Sequence, residues 1–81
     1  MEKSIYSAEY QQLCALLRQL RHDAGLTQME VAHRLGVPQS FVSKYESGER
    51  RLDFVEVAHV SAAVGVPLSV VTSRWQDQLG K

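Results

Sequence analysis

The chain has 81 residues, 44% of them hydrophobic and 22% charged, and nine basic residues balance nine acidic ones for a formal net charge of +0. That length holds one modest core and excludes a second, catalytic domain. No apolar run approaches bilayer length, the opening MEKSIYSAEY holds no apolar signal segment, and a lone Cys14 excludes an internal disulfide or a cysteine-based zinc framework, so a single cytoplasmic domain over 1–81 with no membrane partner is expected.

The first few residues carry no periodic pattern and are expected to be loosely held. A helix over 8–24 follows, with Leu13, Leu16, Leu17 and Leu20 on one stripe. Gly25 closes it. Thr27 and Glu30 stand at capping-box spacing and start a helix over 28–35, which Gly36 ends. Pro38 opens a third helix over 39–47, closed by Gly48. Asp53 and Glu56 repeat the capping-box spacing at the start of a helix over 53–64, whose stripe is Phe54, Val57, Val60 and Val64. After Gly65, Pro67 opens the last helix over 68–78, with Leu68, Val71 and Trp75 in line. No strand-like alternation competes, so the fold class is all-α, with a core over about 8–66 and a C-terminal helix beyond it.

The helices over 28–35 and 39–47 are joined by a turn of about three residues, the arrangement of a helix-turn-helix. Ala32 is small where the following helix must cross closely, Gly36 supplies a left-handed turn residue, and Val37, Val42 and Tyr45 form the inward face. Gln39, Ser40, Ser43 and Lys44 are left facing outward.

The stretch GLTQMEVAHRLGVPQSFVSKYESGER resembles the Cro and phage-repressor (xenobiotic response element) family of bacterial helix-turn-helix regulators, with similarity running over about 13–66. The resemblance implies a compact lambda-repressor-like bundle of the five helices just described. It places Gln39, Ser40, Ser43 and Lys44 in the major groove of double-stranded DNA as base readers. Their chemistry suits the task, since glutamine pairs bidentately with adenine, lysine donates to guanine acceptors, and serine serves either base. Phe41 either touches a thymine methyl or packs at the helix edge. Gln28, in the first turn of the preceding helix, matches the glutamine that clamps the DNA backbone in the family. Arg50 and Arg51 follow the recognition helix and are expected at flanking phosphates, with a solvated loop as the alternative and Glu49 diluting the patch. Arg21 and Glu46 match the family's partly buried ion pair.

The remaining reactive side chains make no site. His22, His33 and His59 have no converging spacing and lack a fourth donor for zinc, and the serines, histidines and aspartates imply no nucleophile turn. Glu9, Asp23 and Asp77 are surface charges. No cofactor, metal or catalysis is expected, and no motif identifies a small-molecule effector.

The expected function is that of a transcriptional regulator binding a palindromic operator as a homodimer, with repression by occupancy as the simplest output. Leu68, Val71 and Trp75 either form the dimer contact or cover the core. A protein-interaction adaptor or antitoxin-like component using the same fold is the second reading, and the neutral net charge is what favours it.

Overall fold

The computed structural model describes residues 7–80, so the expectation of a loosely held start falls on residues outside the described range. Five helices follow one another: α1 Ala8–Asp23, α2 Gln28–Leu35, α3 Gln39–Ser47, α4 Phe54–Ala63 and α5 Leu68–Leu79. No strand occurs among the described residues, and no single helix is long and apolar enough to cross a membrane.

The caps explain the boundaries. Ser7 accepts from the Tyr10 amide and starts α1. Thr27 and Glu30 form a reciprocal capping box on α2, and Asp53 and Glu56 form a second on α4. Asp53 therefore stands outside α4 as its cap, and the helix begins one residue later than expected. Glu56 is held below the usual carboxylate range, first by the Asp53 amide and then by Arg50. The α2–α3 turn needs a residue that tolerates positive φ, and Gly36 supplies it at φ 71.

The core gathers one face from every helix. Leu17, Val31, Val42, Tyr45, Val60 and Val71 are among its fully buried side chains. Cys14 lies in the same interior, where burial pushes its thiol pKa up, so it serves as a small apolar residue. Phe54 departs from the expected core stripe and is 66% exposed. It occupies the first turn of α4, where side chains lean toward the helix N-terminus and here project past the end of the core. The interior face of α4 is instead Val57, Val60, Ser61 and Ala63.

The stripe on α5 faces the same chain. Val71 is fully buried, and Leu68 and Trp75 pack against the core. Val71 is thus unavailable to a dimer contact in this arrangement, because the stripe already closes the interior over α1 and α4. Two long-range hydrogen bonds fasten the outer helices. Trp75 Nε1 donates to the Glu9 carbonyl at 2.9 Å, and Arg34 Nη1 donates to the Ala63 carbonyl at 2.8 Å.

Candidate nucleic-acid interface

The α2–turn–α3 unit divides into two faces. Ala32, Val42 and Tyr45 are buried, and Gln39, Ser40, Ser43 and Lys44 are exposed together along one side of α3. Val37, expected inside, is only half-buried against the core. The outward set presents amide, hydroxyl and ammonium groups that can donate to base edges, with amide and hydroxyl oxygens that can accept.

A chain of polar contacts runs along one side of α3, from Glu46 in its last turn to Gln39 at its start. Arg21 Nε donates to Glu46 Oε2 at 2.7 Å and Nη2 to Oε1 at 3.0 Å, a two-point pairing whose side chains are 9% and 3% exposed. The third guanidinium nitrogen, Nη1, donates to the Leu26 carbonyl at 2.9 Å, just before α2. Glu46 Oε1 also accepts from Gln28 Nε2 at 3.0 Å, and Gln28 Oε1 accepts from Gln39 Nε2 at 2.8 Å. The buried pair therefore orients Gln28, and Gln28 orients Gln39. Hydrogen bonding to Glu46 is the foremost cause of the upward shift in the Arg21 pKa.

Aromatic contacts hold the other side of α3 and the loop that follows it. The Phe41 ring meets Tyr45 edge-on at 5.9 Å between centroids, and the Arg50 guanidinium stacks over Phe41 at 4.5 Å. Of the two alternatives for Phe41, this is the packed one. Arg50 Nη2 also donates to Glu56 Oε2 at 2.9 Å, and the Arg50 amide closes the last turn of α3 on the Lys44 carbonyl at 3.1 Å. Arg50 is thus engaged by this chain on several sides, whereas Arg51 is exposed.

Sequence reasoning missed Tyr10. Its hydroxyl donates to the Arg50 carbonyl at 2.6 Å and accepts from the Leu52 amide at 2.9 Å, and the Arg51 guanidinium lies 5.0 Å from its ring centroid. One signal was available. Tyr10 continues the buried stripe of α1 through Leu13 and Leu17, and a tyrosine on a buried stripe needs a partner for its hydroxyl.

Two exposed cations stand beside the outer face of α3 although the chain is neutral. Lys44 and Arg51 are exposed there, and the Arg21 pairing neutralises Glu46. Glu49 is the acidic exception, exposed beside Ser47. The histidines stay apart, and no cluster of three or more His, Cys, Asp or Glu that could hold a metal occurs among the described residues.

A family model described as a helix-turn-helix domain matches residues 12–72. The chain belongs to the helix-turn-helix family of the XRE type. An XRE-family like protein from Pseudomonas syringae pv. tomato is 45% identical, with a TM-score of 0.85 over 94% of this chain and 93% of that one. The clp gene regulator ClgR from Corynebacterium glutamicum is 26% identical, with a TM-score of 0.80 over 91% of this chain and 79% of that one. The restriction-modification controller protein C.Esp1396I, solved as a tetramer in complex with its 35 base-pair operator, shares the fold with a TM-score of 0.84. At 17% identity, that alignment covers 93% of this chain and 99% of the controller. A search of curated proteins found no match.

Proposed function

We propose that this XRE-type protein is a sequence-specific DNA-binding transcriptional regulator that acts as a homodimer on a palindromic operator and represses by occupancy. The observation that carries this reading is the hydrogen-bonded run from Arg21 through Glu46 and Gln28 to Gln39, which aims an exposed glutamine outward from the start of α3. A purely structural helix has no need to order an exposed amide this way. Gln39, Ser40, Ser43 and Lys44 read bases, and Gln28 and Arg51 meet phosphates. Arg50 supports the loop between them through its contacts with Phe41 and Glu56. The operator-bound state of the controller protein and the gene-regulator role of ClgR agree with this assignment.

A second copy is required because one short helix reads too few base pairs for genomic selectivity. The outward face of α4 suits it better than the stripe on α5. Phe54 and Val55 are 66% and 61% exposed, and Ala58, His59 and Ala62 continue the same side without a charged residue among them. A face carrying neither sign of charge can meet its own symmetry mate without repulsion. The patch is small, on the order of 200 Å² from its two large residues, so the dimer is weak in solution and is completed on DNA.

Selection from a random DNA pool at low salt tests both parts. Enrichment of an inverted repeat with half-sites about 34 Å apart is the expected outcome, and Val55→Glu should reduce the footprint to a single half-site. Failure to enrich any sequence overturns the DNA reading and favours the adaptor alternative. An unchanged two-site footprint with Val55→Glu overturns the α4 contact alone.

A further inference from the structure

The loop that follows the recognition helix is fastened to the first turn of α1 by Tyr10. Its hydroxyl bonds to the residue before Arg51 and to the residue after it, as donor to the Arg50 carbonyl at 2.6 Å and acceptor from the Leu52 amide at 2.9 Å. The ring of the same side chain sits 5.0 Å from the Arg51 guanidinium carbon, within range of a cation–π contact. Three contacts from one residue therefore bracket the backbone of Arg51 and support its side chain. Tyr10 itself is buried, 6% exposed, while Arg51 is open to solvent.

The anchor is fixed in turn. Trp75 on α5 donates to the carbonyl of Glu9, the residue beside Tyr10, so the first turn of α1 is held from behind. A long flexible arginine on an untethered loop loses side-chain and backbone freedom when it meets a phosphate. An arginine whose flanking peptides are already bonded and whose guanidinium lies over a buried ring has part of that ordering complete before DNA arrives.

We infer that Tyr10 is a positioning residue for DNA binding, acting through Arg51: it presets the loop so that the Arg51 guanidinium meets a phosphate beside the recognition helix. This inference rests on the DNA-binding reading above and adds a residue from outside the helix-turn-helix to it. It also gives α5 a task other than dimerisation, since Trp75 braces the turn that carries Tyr10.

The test is the salt dependence of affinity for the selected operator, measured for wild type, Tyr10→Phe, Arg51→Ala and the double variant. Phenylalanine keeps the ring and removes both hydrogen bonds. Arg51→Ala should flatten the slope of log K against log salt by about one unit, the loss of one phosphate contact. Tyr10→Phe should flatten it in the same direction, and the double variant should match Arg51→Ala alone. A tyrosine that merely stabilises the fold lowers the melting midpoint and leaves the slope at the wild-type value. That slope for Tyr10→Phe, beside a flattened one for Arg51→Ala, overturns the inference while leaving the DNA reading intact. Wild type that selects no DNA overturns the DNA reading itself. Amide exchange at Leu52 checks the loop independently: Tyr10→Phe should speed it, and unchanged protection refutes the tether. Trp75, the one tryptophan in the chain, reports through its fluorescence that the α1–α5 joint is intact in each variant.

Discussion

Two sides of the recognition helix are held by different chemistry. Along one, from Gln39 at its start to Glu46 in its last turn, α3 is tied to α1 and α2 by charge and amide hydrogen bonds through Arg21 and Gln28. Along the other, Phe41 packs edge-on against Tyr45 and beneath Arg50, and the loop that follows is held by backbone bonds to Tyr10. On the polar side, the group proposed to read a base belongs to the same network that fixes the helix. On the aromatic side, the supporting groups are separate from Arg51, the group left free to bind. Stability and readout are therefore coupled on one side of α3 and separable on the other.

The largest test of that contrast is Glu46→Ala. It leaves the Arg21 guanidinium largely buried with only the Leu26 carbonyl and the neighbouring His22 ring in reach, and it releases Gln28. Breaking a buried pair from one side costs about 3 to 5 kcal/mol. Chemical denaturation should show that loss together with weaker operator selectivity, since Gln39 loses its guide. An unchanged unfolding midpoint refutes the coupling.

A smaller effect is expected from Gln39→Ala, which removes the last member of the network and leaves the ion pair in place. Its cost should be about 1 to 3 kcal/mol of binding at one base-pair position, with little change in melting. Profiling the variant against all four bases at each operator position checks this. A uniform loss across positions would assign Gln39 to the backbone.

The same contrast governs how much of the molecule was legible in the sequence. Caps are local, so Thr27 with Glu30 and Asp53 with Glu56 marked their helices from a spacing of three residues. Periodicity gave the buried side of α1 for the same reason. Phe54 misled because an apolar residue in register with a stripe says nothing of where the core ends. The Arg21–Glu46 pairing spans 25 residues and was reachable only through family resemblance. Tyr10 reaches Leu52 across 42 residues, and neither spacing nor the resemblance pointed to that contact. The ion pair on the polar side was therefore reachable through resemblance, whereas the tethered loop had to be seen in three dimensions.

The smallest effect is an alkaline one, and it isolates the Tyr10 tether. Burial pushes the Tyr10 hydroxyl from 10.0 up to about 12, against the opposing pull of the Leu52 amide. In the unfolded chain the phenol ionises at its ordinary value, so the folded state, which keeps it protonated, is disfavoured as pH climbs beyond that point. The contribution is fully present below pH 10 and is lost as pH rises toward about 12. Tyr45, buried in the core, shifts upward as well, chiefly through desolvation, and adds to the loss with the same sign. Thermal melts at pH 8 and pH 10.5 should therefore show wild type losing more stability than Tyr10→Phe, with the difference between them narrowing as pH increases. A difference that stays constant across that range would mean that the phenol ionises alike in the folded and unfolded chain, contrary to the buried placement on which the tether to Arg51 depends.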